Sequence, residues 1–593
     1  MNHNAMLGER TLGHLRKPVQ HNGKPRRVMI LTPEYREFMP GTESQHLAII
    51  SLLQTSFTIA GTKSEPKERT AAYPIQEIPL VIDGILNTGI ETLVIINAPA
   101  IAFRALGLLA RIDTNALTPT LFYCDGHRGT LGTMHQGKRI TFASICNYLP
   151  DVNIFTGTPA SVMHEATSAL VLRLIDLARH HGLPTVGMSA AATSYQCWLQ
   201  TCQLMTPVVH DDADALALER DAYTTGWTEA LYHGLTPGSV HCWDVQSAYP
   251  WIASTSPMPL MLKHKMAACE PKQFLLGMEN NLCDPSCLFA RVQIKSDVTR
   301  YPVRIDGETK FCIGSFATSL CGRELLGAID DGDITHVYQG HGYTSGCYLR
   351  NYLGDMLYNR ELSERAGQTD IAMACKLLAN ALIGKFGQRG DFWEFIGASD
   401  HSRPWQAWSV IDEPGHIPLE FRTLGTQIQR RYAYHETQTS IPAIPAIVNA
   451  NMRREMQTLV RLVDKPYNGQ RHTYHVATDA LHVDDIGHSR LQELLTRKRP
   501  GPGTIRYQWS VKQAEYWGPN TYMRDGQLTA PGLFKIGKRD GMTWTTQRIA
   551  ELGSHLDAKG VGIIPVSTGH YTVYRRLAPC RIRPDKFLEP EKL

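Results

Sequence analysis

Trp243-Asp244-Val245-Gln246-Ser247-Ala248-Tyr249-Pro250 carries the first of two acids on which the reading of this chain turns. The residues before Asp244 read as a strand, and the segment from Ser247 to Pro250 reads as a turn. The second acid, Asp479, lies in Thr473-Tyr474-His475-Val476-Ala477-Thr478-Asp479-Ala480-Leu481-His482-Val483, where two apolar β runs flank a turn. Both are short acids on stiff backbone. A hard divalent ion takes carboxylate oxygens from a few rigid positions and leaves its other sites to phosphate and water. Two such ions ~4 Å apart clamp the attacking and leaving oxygens of phosphoryl transfer. Two aspartates from different strands of one sheet are the minimal set for that chemistry, although either acid alone reads more readily as a cap or turn residue.

A third segment stands between them, Lys376-Leu377-Leu378-Ala379-Asn380-Ala381-Leu382-Ile383-Gly384-Lys385-Phe386-Gly387. Helical spacing puts Lys376, Asn380, Ile383 and Gly387 on one face, so a cation and an amide stand beside small residues and can meet a triphosphate. The plain alternative is an amphipathic helix with one exposed lysine.

The 593 residues exceed one hydrophobic core, so two to four domains are expected. Apolar residues at 43% and charged residues at 20% fit a soluble globular protein. No apolar run approaches the ~20 residues that cross a bilayer. Residues 1–27 read as a flexible basic arm without the apolar centre of a secretory signal. The cytoplasm of a bacterial or viral-host cell is therefore the expected location, with an organelle left open. A net charge of +4 does not announce nucleic-acid binding, so a DNA groove has to come from clusters such as Arg453-Arg454. The 13 scattered cysteines suit free thiols, and Cys283 with Cys287 lacks the partners of a zinc set.

Residues 28–190 alternate strands and helices, with Arg27 to Leu31 and Thr92 to Ile96 as buried strands and a helix from Ala169 to His181 that stops at Gly182. Residues 191–240 read as an irregular connector and 263–340 as short strands. A long helical stretch is expected near 348–386, polar loops over 388–440 and a helix over 446–463.

In their order, these segments resemble the motifs of the family B DNA polymerases, specifically the protein-primed branch of bacteriophages and linear plasmids. Asp244 to Pro250 resembles D-x-x-S-L-Y-P, with Ala248 as the one change. Lys376 to Lys385 resembles K-x-x-x-N-S-x-Y-G-K, with Ala381 and Ile383 departing, and His475 to Ala480 keeps Thr478 and Asp479 of Y-x-D-T-D-S. Weaker likenesses lie in order between and beyond them: Tyr223-Thr224-Thr225-Gly226 to Y-x-G-G, Asn449 to Arg453 to T-x-x-A-R, and Asn520-Thr521-Tyr522 to K-x-Y.

The resemblance implies an α+β multidomain, right-hand polymerase with an N-terminal ribonuclease-H-like α/β exonuclease-type domain. Its parts would be that domain at 28–190, a connector at 191–240, a palm at 241–262 and 430–535, a priming-related palm insertion at 263–340, fingers at 341–429 and a thumb at 536–593. It implies a DNA-directed DNA polymerase with two Mg2+ ions, Mn2+ being a substitute, on Asp244, Asp479 and the Val245 carbonyl. Ser247, Ala248, Lys376 and Asn380 would meet the incoming nucleotide, and Tyr249 would exclude a 2′-hydroxyl. Tyr223, Gly226, Arg453 and Tyr522 would touch DNA. The implied partners are primer-template DNA, deoxynucleoside triphosphates and a terminal priming protein; the chain is expected to be a monomer with no membrane partner.

The departures narrow this reading. Ala477 replaces the first acid of the third motif, Ile383 a tyrosine beside the nascent base pair, and Asn520 a lysine near the primer end. In the first domain, Thr32, Ile101 and Thr167 stand where the family's exonuclease aspartates are expected, Asn97 opens the second segment, and Glu34 alone remains. A threonine or isoleucine does not hold a metal as a carboxylate does, so the exonuclease fold is expected without its chemistry. Two other readings stand beside the polymerase: a DNA-binding scaffold that has lost catalysis, and a polymerase specialised to start chains on a protein hydroxyl or without a primer.

Overall fold

Five antiparallel strands bring the two acids together. Their order across the sheet is Thr228–Ala230, Thr473–Ala477, Ala480–Val483, Val240–Val245 and Ile505–Val511. The register of Val240–Val245 shifts between Cys242 and Trp243, and both of these consecutive side chains are buried. A bulge of this kind breaks the two-residue alternation and re-aims the next side chain along the strand, here Asp244. The edge strand Thr228–Ala230 comes from the stretch expected as an irregular connector.

The structure is a computed structural model. It describes residues 13–15, 26–38, 45–59, 66–88, 90–98, 106, 108, 118–124, 129–135, 138–149, 159–202, 205–305, 308–398, 407–410, 419–424, 427–465, 471–497, 500–529, 538–540, 543–549, 563–572, 581–582 and 587–588. Most of the basic arm and Ile101 lie outside the described residues.

Behind the sheet runs the helix Ala443–Val463, which buries Ile444, Ile447, Met452, Met456 and Val460 among its contacts. The stretch expected as one long helix is two, Arg350–Arg365 and Thr369–Gly387. The break is glycine chemistry: Gly367, just past the first helix, takes φ +71°, a left-handed conformation that ends helices and that other residues rarely adopt. Leu353, Met356, Leu378, Leu382 and Phe386 of the pair join the same core as Trp198 of the helix Ala190–Thr201.

Residues 388–440 correct the expectation of polar loops. They hold a four-stranded antiparallel sheet in the order Arg389–Ala398, Gln427–Glu436, Leu419–Leu424, Ala407–Val410. Cross-strand ion pairs stand where apolar alternation would have signalled strands: Arg430 to Glu394 at 2.9 Å and Arg431 to Glu420 at 2.5 Å.

In the N-terminal part, Arg26–Phe38, Glu91–Ile96 and Lys138–Ser144 pair in parallel, and Gln45–Ile59 runs antiparallel to the first. The helix Ala160–His180 packs on this sheet and starts nine residues before the expected Ala169. Its first turns carry His164, Glu165, Thr167 and Ser168, which hide the helical period until Leu170. Residues 258–346 form a second antiparallel layer from Met258–Met266, Ile334–Gly346, Leu288–Ser296 and Ile313–Cys321, with a core of its own around Phe274, Val292, Tyr301 and Leu325.

Strands of the segment expected as a thumb join sheets belonging to other parts. Ile563–Thr572 pairs with Thr543–Ile549 and with Gln45–Ala48 of the N-terminal sheet, and Arg581–Ile582 pairs with Ile313 and Gly314. No helix among the described residues is long and apolar enough to cross a membrane.

Candidate active site

Asp479 sits in a two-residue hairpin turn between Ala477 and Ala480. The turn requires a left-handed residue, and Thr478 takes that conformation at φ +60°. The Thr478 amide donates to the Trp227 carbonyl at 2.8 Å, and its hydroxyl lies 2.9 Å from the Asp479 carboxylate. Asp244 is the register partner of Ala480, and the Val245 amide donates to the Asp479 carbonyl at 2.8 Å. The two acids therefore stand side by side on adjacent strands.

Burial, and then the charge of Asp479, push the Asp244 carboxyl up to about 6; burial also raises that of Asp479. The cations near Asp244 do not cancel this: Arg506 comes only to 3.9 Å and is half exposed, and Gln508 donates to the same carboxylate oxygen at 3.3 Å. Two carboxylates that repel each other at the half-buried ends of neighbouring strands suit a shared divalent charge.

The acids open on a cavity of about 460 Å³ lined by Val245, Ser247, Ala248, Tyr249, Lys376, Asn380, Ile383 and Gly384. All the nucleotide-pocket residues expected from the sequence meet there. Gly384 continues the helix face; Gly387 instead packs on Tyr223, whose ring would lie 2.6 Å from a Cβ at that position. Two lining residues were missed, Arg360 and Arg506. Arg360 donates to the Ser247 hydroxyl at 2.9 Å, which steadies a left-handed Ser247 (φ +53°) at the start of the helix Ala248–Thr255. Neither arginine belongs to a recognisable motif, and only their basic character hinted at a role.

Of the residues expected to touch DNA, Gly226 backs the pocket. Gly226 faces Tyr249 and Thr478: a Cβ there would lie 2.6 Å from the tyrosine oxygen and 3.0 Å from the threonine Cβ. Burial raises the Tyr249 phenol, which hydrogen-bonds Thr478. Arg453 is a correction. It is fully buried, forms a two-pronged pair with Glu324 at 2.8 and 2.6 Å, and donates to the Thr225 carbonyl at 2.8 Å, which leaves no face for a template phosphate. Tyr522 packs among the rings of His475, His482 and Tyr516; burial lowers the His475 imidazole to about 3, so the cluster is uncharged.

In the N-terminal domain, Thr32 and Asn97 close a neutral network around a residue that no sequence motif marks, His164. Its ring nitrogens meet the hydroxyls of Thr32 at 2.7 Å and Thr55 at 2.9 Å, and the Asn97 amide reaches Thr32 at 3.2 Å. Burial lowers the His164 imidazole. Thr167 is buried on the same helix as His164, while Glu34 is exposed and accepts from Ser51 at 2.5 Å.

Residues 185–401 match the family model of DNA polymerase type B, organellar and viral. The matched segment, little more than a third of the chain, holds Asp244, Tyr249, Lys376 and Asn380. The match supports DNA-directed DNA synthesis as the activity, and family B DNA polymerases work with divalent metal ions. In fold, this chain is similar to Phi29 DNA polymerase complexed with primer-template DNA and incoming nucleotides, at 12% identity and a TM-score of 0.59, over 92% of this chain and all of the other. It is similar also to the binary complex of Phi29 DNA polymerase with primer-template DNA, at 12% identity and a TM-score of 0.58, with the same coverage. This supports the right-hand α+β architecture. No curated protein matches the sequence.

Two expected outcomes arise from the chain's buried charges. Arg453→Met leaves Glu324 buried without its partner and costs about 3–5 kcal/mol, most of it recovered in Arg453→Met/Glu324→Leu; thermal and urea unfolding check both. A direct template contact would instead leave stability unchanged. The second concerns Asp244, whose carboxyl is raised from 3.8 to about 6 in the folded chain. The folded state thus binds that proton more tightly than the unfolded one, so stability is lost as pH rises through this window, and the loss is complete above it. In metal-free buffer at pH 7.5, Asp244→Asn removes a penalty on the order of 2–3 kcal/mol and raises Tm. At pH 4 the gain disappears.

Proposed function

We propose that the polymerase extends a primer 3′ end by two-cation nucleotidyl transfer and does so without 3′-5′ proofreading. The observation that carries this reading is the convergence of Asp244, Asp479, Lys376, Asn380 and Tyr249 on one cavity from three separate segments. Asp244, Asp479 and the Val245 carbonyl would hold the cations, Mg2+ or Mn2+, whose chemistry is to neutralise charge on the attacking and leaving oxygens. The chain's own work is positioning, which is most of what phosphoryl transfer asks of a protein.

Lys376 and Arg360 place positive charge along the cavity wall facing the acids, where a triphosphate would lie. Arg360 also fixes Ser247, so the turn that presents its backbone to the triphosphate is set before substrate arrives. Tyr249 supplies a flat ring whose oxygen is held by Thr478 and backed by Gly226, so it cannot retreat from a ribose 2′-hydroxyl. Loss of proofreading is supported by the neutral Thr32–His164–Thr55–Asn97 network, which offers no carboxylate. A binding scaffold has no use for two acids held against each other at a raised pKa, which favours catalysis. Primer-template DNA and deoxynucleotides are the partners proposed, and the layer 258–346 is the proposed seat of a priming protein.

Primer extension tests the reading. Wild-type protein with Mg2+ should extend a labelled primer with deoxynucleotides and leave a mismatched 3′ end untrimmed. Tyr249→Val should incorporate ribonucleotides at least tenfold faster than wild type while deoxynucleotide extension survives. Unchanged sugar selection places the gate elsewhere, and rapid trimming contradicts the lost exonuclease.

A further inference from the structure

Far from the motifs, the C-terminal end of the helix Ala160–His180 meets the finger helix Arg350–Arg365. Two histidines and an aspartate face one another there. His181 Nε2 is 3.3 Å and His180 Nε2 3.8 Å from the same carboxylate oxygen of Asp355, and the three ligand atoms lie within 4.8 Å of one another. Among the described residues this is the one gathering of three such ligands.

The contact is a poor ion pair and a good ligand set. The His181 side chain is only 6% exposed, yet its Nε2 has no hydrogen-bond partner, and neither does the buried Asp355 Oδ2 that it faces. Buried polar atoms are ordinarily paired, so two unpaired ones aimed at each other ask for something between them. Their spacing suits a metal: ligands ~2.0–2.1 Å from a tetrahedral zinc stand ~3.3–3.4 Å apart. The outer atoms are already oriented as metal ligands require. The Thr201 hydroxyl lies 3.2 Å from His181 Nδ1, and the Asn359 amide donates to Asp355 Oδ1 at 3.0 Å. Burial lowers the His181 imidazole, which favours the neutral, ligating form. His180 is two-thirds exposed, so one side of the site remains open to water.

The geometry points to a transition-metal site, of zinc class, formed by His180, His181 and Asp355. Two imidazoles and one carboxylate favour zinc over magnesium, which keeps this site chemically distinct from the Asp244–Asp479 pair. The ion would tie the end of the N-terminal domain's long helix to the helix that carries Arg360 into the nucleotide cavity. Its role is a cross-link between the two parts.

Full-length protein stripped with EDTA and titrated with Zn2+ against a chromophoric chelator tests this, with His180→Ala and Asp355→Asn as variants. His180 is largely exposed and Asp355→Asn nearly isosteric, so both variants should fold; circular dichroism checks that. Wild type should bind one more equivalent of Zn2+ than either variant, and Zn2+ should raise the Tm of wild type more than that of either variant. Co2+ should show weak visible bands without the near-ultraviolet charge transfer of thiolate ligands, which separates this site from the cysteines. Equal zinc binding in wild type and either variant, no binding in wild type, or a cobalt–thiolate spectrum that both variants retain would each overturn the assignment.

Discussion

Two negative charges held close together at the ends of a sheet's inner strands are the constraint around which this molecule is arranged. Asp244 and Asp479 reach adjacent strands through a hairpin whose turn forces Thr478 into a left-handed conformation. Burial and mutual repulsion then raise the Asp244 carboxyl to about 6. A chain selected only for stability would carry an amide or an apolar residue there. A divalent charge would release that tension, which is how a site can be built to bind a cation and still let go of it.

The surroundings keep that tension from being relieved by movement. Arg453, paired with Glu324 in the interior, grips the Thr225 carbonyl. That fixes Gly226, which leaves room for the Tyr249 hydroxyl and no more, and Tyr249 and Asp479 both hydrogen-bond Thr478. The Thr225–Gly226 segment, the pocket floor and the Asp479 hairpin are one packed unit. A buried ion pair that adds little net stability can still serve such registration.

The pocket was legible in the sequence because its chemistry needs particular residue types at close spacing: the acid and tyrosine around Asp244, the hairpin around Asp479, the lysine and asparagine on the helix Thr369–Gly387. Arg360 and Arg506 were not legible, since a single arginine on a helix or strand carries no local signature and only the fold brings it to the cavity. Arg453 misled because a motif can keep its residue while the fold gives it an interior partner on another helix. The 389–436 sheet was hidden by its charged strands, and the start of the Ala160–His180 helix by polar turns. In the N-terminal sheet the threonines at 32 and 167 were visible in the sequence, but the buried His164 that hydrogen-bonds Thr32 and Thr55 was not.

Whether the two aspartates act as one unit is the claim on which the functional account rests. Single-turnover primer extension by Asp244→Ala, Asp479→Ala and the double variant, with DNA binding measured alongside, tests it most directly. Residues that share one task lose it together. The account expects each single variant to lose at least a thousandfold in rate, the double to be no slower than either, and DNA binding to persist. Losses that multiply in the double variant, or a single variant near the wild-type rate, would contradict it.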